Sequence, residues 1–192
     1  IFMRIFLLIV LIISCSTLKA QSVSPEYKDN YTVQYLIVFN KKKEILLMKN
    51  KSGWHTPAMR SNKPQSIKES LEDFADKIGI KIKGLRLSGL YVHKFEGLTD
   101  HPEISFRSHY TAQVIDEKEG ALSPLSSVAD VEYHWVDKEK ALSLLHFDFL
   151  REQTKPILKN NKKVWGGTFL ITWKNDAFQG SKIIEPIYSL SN

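Results

Sequence analysis

The stretch GWHTPAMRSNKPQSIKESLEDFADKIGI, residues 53–80, decides how the chain is read. Ser66 followed three residues later by Glu69 is a capping box, in which each residue satisfies a backbone N–H of the other. Ile67, Leu71, Phe74, Ala75 and Ile78 then recur at helical spacing, and Gly79 supplies the left-handed residue on which helices end. The pattern predicts a helix over Ser66–Gly79 with Ile67, Leu71, Phe74 and Ile78 packed into a core. Glu69, Glu72, Asp73 and Asp76 share the opposite side at i, i+3 and i+4 offsets, so their carboxylates are neighbours. Two readings follow. Crowded carboxylates repel one another unless a cation sits among them, and an oxygen-only donor set suits Mg²⁺ or Mn²⁺. Alternatively the face is simply solvated, with Lys68 and Lys77 interspersed among the acids.

Working outward, Tyr31–Phe39 (YTVQYLIVF) is rich in β-branched and aromatic residues and reads as a strand. Asn40–Lys43 is a polar turn, and Glu44–Met48 reads as the hairpin partner. A loop then runs from Ser52–Gly53 through Trp54, Pro57 and Pro64. Beyond the helix, Lys81–Phe95 holds strand-like runs broken by Gly84 and Gly89. Ser105–Ile115 and Val131–Val136 read as strands, and Lys138–Leu145 and Phe149–Leu158 as helices, the second bent or ended by Pro156. Val164–Tyr188 contains two strand-like runs around Asn175-Asp176 and Gly180. Strands mixed with helices and joined by hairpin-length links favour an α+β sandwich over a doubly wound sheet.

The 192 residues are enough for one domain with some left over. With 43% hydrophobic and 25% charged residues, the composition is that of a globular protein rather than a disordered or low-complexity one. The single cysteine, Cys15, excludes an intramolecular disulfide framework and a cysteine-rich zinc site. A formal net charge of +6 gives no argument for a nucleic-acid partner, and none is expected. Residues 1–20 read as an export address: Met3-Arg4, the apolar run Ile5–Ile13, then small and polar residues up to Ala20. Cleavage after Ala20 would release a periplasmic or secreted protein. Ile12-Ile13-Ser14-Cys15 instead resembles a bacterial lipobox, which would tether the domain to a membrane through Cys15. The competing reading is a buried N-terminal element of the domain itself. Residues 21–30 read as a linker, 31–158 as the domain, and 159–192 as a C-terminal β extension of it.

The order strand, Gly53-Trp54-His55-Thr56-Pro57, loop, acidic helix, Gly79-Ile80 resembles the Nudix hydrolase family. The family signature is a strand, a Trp-x-x-Pro-Gly-Gly loop, and a helix bearing Gly-x5-Glu-x7-Arg-Glu-x-x-Glu-Glu-x-Gly. The resemblance takes in the LIVFN…EILLMKN hairpin upstream and Val131-Glu132-Tyr133-His134-Trp135-Val136 downstream, covering about Tyr31 to Leu150. It implies a Nudix-like α/β/α sandwich with a mixed sheet. It also implies metal-dependent cleavage of the diphosphate in a nucleoside diphosphate-linked molecule. Aligned on Gly79, the family's Arg falls on Glu72, the next Glu on Asp73, and the Glu-Glu pair on Asp76 and Lys77, while the double glycine is Ala58-Met59. The first box Glu falls near Pro64-Gln65, and only with one residue missing from the loop. The resemblance therefore makes Asp73 and Asp76 metal ligands. Glu72 or Glu69 could be a substitute third ligand or a general base, which is our inference and not part of the family pattern, and the orienting Arg is absent. Lys49, Lys51, Arg60 and Lys63 flank the loop, either to meet phosphates or as ordinary solvated charges.

Other motifs are weaker. The six histidines contain no His-x-x-x-His pair, although His93 and His109 can share one sheet face. No Gly-x-Ser-x-Gly elbow is present. Trp165-Gly166-Gly167-Thr168 reads as a ligand contact or as a strand bulge. Two functions stay open: a Nudix-type pyrophosphohydrolase with a degenerate box, or a Nudix-like binding or interaction module that has lost catalysis.

Overall fold

The computed structural model describes residues 32–60, 64–98, 104–117 and 130–191. The leader and linker assigned to residues 1–30 lie outside them, as does Lys63. The elements run β1 (Val33–Phe39), β2 (Ile45–Asn50), β3 (Gly53–His55), β4 (Ala58–Arg60), α1 (Ile67–Lys77), β5 (Ile80–Glu96), β6 (Ile104–Glu117), β7 (Glu132–Val136), α2 (Lys138–Leu144), α3 (Asp148–Lys159), β8 (Trp165–Lys174) and β9 (Ala177–Ser189). The described strands form one mixed sheet in the order β3-β2-β1-β6-β5-β8-β9, with β4 paired to β1 and β7 paired to β2. The β1–β6 and β5–β8 pairs are parallel and the others antiparallel.

β1 explains the layering. Its side chains alternate between two separate cores, as the period of two in a strand requires. Leu36 and Val38 join Leu71, Phe74 and Ala75 of α1 and its C-terminal cap Ile78. Tyr35, Ile37 and Phe39 join Ala141 of α2 and Phe149, Leu150 and Ile157 of α3. A strand covered on both faces reads as a near-continuous apolar run, which VQYLIVF is apart from the buried Gln34. The result is the expected α+β sandwich, with helices on both faces of a mixed sheet.

Several elements differ from the sequence reading. β1 and β2 meet only at Phe39 and Ile45. Their ends splay apart, and the loop between Gly53 and Arg60 fills the fork with two three-residue strands: β3 pairs β2 and β4 pairs β1. The two runs between Lys81 and Phe95 are one strand of 17 residues, interrupted by bulges near Gly84 and Gly89. Pro156 sits within α3 without ending it; the last turn closes through Asn160 N–H to the Pro156 carbonyl at 2.9 Å. Ile67, expected in the core, is 38% exposed. The tail forms the expected hairpin, its turn made by Asn175 (φ 52°) and Asp176 (φ 58°), both left-handed as a two-residue turn demands. Gly166-Gly167 marks a bulge against β9. β8 sends Phe169 and Ile171 into the α2–α3 core. No helix among the described residues is long and apolar enough to cross a membrane.

Candidate functional site

The capping box forms as the sequence predicts. Ser66 Oγ accepts the Glu69 N–H at 3.2 Å. The Ser66 N–H and hydroxyl both donate to Glu69 Oε2, at 3.0 and 2.8 Å. These hydrogen bonds hold the Glu69 carboxyl below its usual range, because they favour the ionised form. Glu69 thus anchors the start of α1. The neighbouring acids are engaged too. Gln65 donates its amide N–H to Asp73 Oδ2 at 2.5 Å while accepting the Ser70 hydroxyl at 3.2 Å. Lys68 reaches the half-buried Glu72 at 3.9 Å, an i,i+4 pair at the surface of the helix. Gln65 thereby occupies one oxygen of the Asp73 carboxylate.

At about 100° per residue, Glu72, Asp76, Glu69 and Asp73 occupy one arc turned away from the buried Leu71, Phe74 and Ala75. Asp73 and Asp76 are exposed and Glu72 is half-buried. No group of three or more His, Cys, Asp or Glu side chains is placed to hold a metal ion among the described residues. This donor set does not make a closed cage.

The predicted phosphate-binding cations stand elsewhere. In β4, Ala58 packs on the α2–α3 core and Met59 on the α1 core, so alternation turns Arg60 to the α2–α3 face. Arg60 shares a row with Val33 and Arg107 across β4, β1 and β6. Lys49 follows Leu47 onto that same face, where its ammonium lies 5.7 Å from the Trp54 ring centroid. Lys51 pairs with Asp130 at 3.0 Å in an exposed contact. Lys49 and Arg60 therefore lie across the sheet from the acids of α1.

That second face holds a buried polar constellation that the sequence reading reached only through its two histidines. Gln153 of α3 bridges His93 of β5 and His109 of β6: its amide nitrogen is 2.7 Å from His93 Nε2 and its oxygen 3.2 Å from His109 Nε2. An amide has one donor end and one acceptor end, so His93 accepts while His109 donates. Both imidazoles are buried, at 1% and 0% exposure. Desolvation is the largest cause lowering both: His93 falls well below its usual value, and His109 falls to about 3. The Arg107 guanidinium pushes each the same way. Tyr35 stacks on His109 at 4.6 Å, and the Tyr91 hydroxyl donates to the Gln153 carbonyl at 3.0 Å. Arg107 donates to Ser105 Oγ at 3.0 Å and lies 5.6 Å from the Phe95 ring centroid. Gln153 and Arg107 carried no motif, and only the strand registers bring them to the histidines.

No model of a protein family matches this chain, and no curated protein matches it. Solved structures do. The chain is similar to the mutator MutT protein of Bacillus halodurans, with a TM-score of 0.57 and 19% identity, over 81% of this chain and 99% of that one. It is also similar to the dihydroneopterin triphosphate pyrophosphohydrolase of E. coli, with a TM-score of 0.51 and 11% identity, over 70% of this chain and 98% of that one. At these identities the likeness is one of fold, and the fold is the Nudix fold.

Proposed function

We propose that this Nudix-fold chain cleaves the diphosphate bond of a nucleotide-like, nucleoside diphosphate-linked molecule, using Mg²⁺ or Mn²⁺ that enters together with the substrate. The observation that carries the reading is the pair Asp73 and Asp76, exposed one turn apart beside Glu72 on the outward arc of α1. Two carboxylates are too few for a resident ion but enough for one whose remaining ligands are waters and phosphate oxygens. Such an ion neutralises phosphate charge and lowers the pKa of a bound water. Asp73 and Asp76 hold it in this proposal, and Glu72, tethered only by the long Lys68 contact, accepts the proton of the attacking water. The proposal includes export, on the leader-like residues 1–20.

A second reading, a binding module without catalysis, is favoured by one specific feature: Gln65 already holds Asp73, and the last turn of α1 carries Lys77 in place of a further acid. The two separate in one experiment. Mg²⁺ and Mn²⁺ are titrated calorimetrically with and without a non-hydrolysable nucleoside diphosphate analogue, and nucleoside diphosphate-linked compounds are screened for phosphate release. Hydrolysis requires release that Asp73→Asn and Asp76→Asn abolish. Nucleotide binding without turnover, unchanged in both variants, establishes the binding module instead.

A further inference from the structure

α1 is well packed except at its first residue. Ile67 is 38% exposed, and beside it a groove of about 650 Å³ runs between α1 and β5. Ile82, Leu85 and Tyr110, all half-buried, line it together with Ile67, while Lys68, Glu72 and Lys83 supply its charged groups. A bulge in β5 shapes it. Lys83 pairs with Gln113 and Arg86 with Thr111, so Gly84 and Leu85 together oppose the single residue Ala112. Gly84 takes φ +65°, and a side chain there would meet nothing within 4 Å. Bulges of this kind bend a strand and re-aim its side chains. The volume falls in the range of small-molecule sites, which combine an apolar lining with a few polar groups.

We propose that this groove binds the planar, apolar part of a small phosphorylated molecule, the ring lying on Tyr110, Leu85 and Ile67 and the phosphate reaching Lys68 and Lys83. Two lysines and one glutamate line the groove, and with Lys68 matched to Glu72 the lining keeps one net positive charge, which suits an anionic ligand. Tyr110 supplies a flat face and a hydroxyl that burial keeps protonated, and therefore able to donate. Glu72 belongs both to the groove and to the acidic arc, with Asp76 one turn further along α1. The groove would thus hold the organic part of a substrate whose diphosphate lies over Glu72 and Asp76. This link to the acids rests on the hydrolase reading; the groove itself does not.

The test uses phenyl phosphate as probe, with inorganic phosphate and glycerol phosphate as ring-free comparators, and methyl and aromatic NMR as readout. The expected result is a shift of the Ile67 and Leu85 methyls and the Tyr110 ring, with phenyl phosphate binding about tenfold tighter than either comparator. Ile67→Glu sits at an exposed position in the first helical turn, where an acid suits the helix dipole, and should weaken the probe about tenfold. Tyr110→Phe, which removes only the hydroxyl, and Lys83→Gln should each weaken it several-fold. Equal affinity for all three ligands, shifts confined to other residues, or an Ile67→Glu variant that binds like the wild type would overturn the proposal. So would self-association through this face that Ile67→Glu abolishes. Asp73→Asn separates the two readings. Groove binding that survives it while no compound is ever hydrolysed leaves the groove and removes the hydrolase. Hydrolysis lost in Asp73→Asn, with no probe in the groove, does the reverse.

Discussion

Acidification should destabilise this fold earlier than its carboxylates can explain. His93 and His109 are buried as neutral imidazoles on either side of Gln153, and their folded-state pKa values lie below the roughly 6.5 of an unfolded histidine. Depressed values put the stabilisation fully in place above about pH 6.5 and remove it as pH falls toward the folded values, about 3 for His109. The groups facing the pair cannot rescue it. Arg107 is positive, Tyr35 and Tyr91 are neutral with raised pKa values, and Gln153 has a single oxygen to offer. Each proton taken up only by the unfolded chain is worth about 1.4 kcal/mol per pH unit, so the pair should remove about 4 kcal/mol between pH 7.5 and pH 5. Urea titrations followed by tryptophan fluorescence at pH 7.5, 6 and 5 measure this. His93→Gln keeps a neutral acceptor at the site and should reduce the change by about 2 kcal/mol. A wild-type loss below 1 kcal/mol, or an unaltered pH dependence in His93→Gln, would refute buried neutral histidines.

Other outcomes follow from single contacts. Phe74→Ala, removing a ring that is 8% exposed in the α1 core, should cost about 3–5 kcal/mol by denaturant titration. Gly97→Ala should cost about 1–3 kcal/mol or more, because φ is +82° and the new methyl would overlap the Trp173 carbonyl oxygen; thermal melts check it. Lys77→Glu should tighten Mn²⁺ binding in calorimetry by adding an oxygen ligand beside Asp73 and Asp76. Unchanged affinity there would leave α1 a solvated face. Intact-mass analysis of protein from its native host should find a start at Gln21, or a lipid on Cys15, and not a chain retaining Arg4–Ile13.

What the sequence revealed depended on how local each signal was. Ser66, Glu69 and Gly79 announce α1 within fourteen residues, and Asn175-Asp176 announce their turn within two, because capping and left-handed turns are decided by near neighbours. The strands β3 and β4 were invisible, since three residues cannot display a period. β5 read as two strands because the bulges near Gly84 and Gly89 break its alternation. The acids of α1 were legible as a face, yet their commitments to Ser66, Gln65 and Lys68 emerged only with the side-chain geometry. The placement of Lys49 and Arg60 across the sheet is a matter of parity. Counting from Leu47 and Ala58 would have given it, had the strand boundaries been known. Arg107 and Gln153 meet the histidines through pairings distant in sequence, which no local pattern encodes.

The C-terminal hairpin sets the order in which this chain can fold. β8 lies parallel to β5, joining partners as far apart in sequence as Gly89 and Trp165. Such a pairing closes a long loop, and loop closure must come before the contacts that repay it. Until it closes, the core around Tyr91 and Phe149 lacks Phe169 and Ile171, and the β5 edge has no neighbour. Closure of the sheet on this side therefore requires β8 and β9 to be in place. An intermediate halted before it would present an open strand edge beside an apolar surface, the state from which aggregation starts. A chain cut after Leu158 would remain in that state permanently.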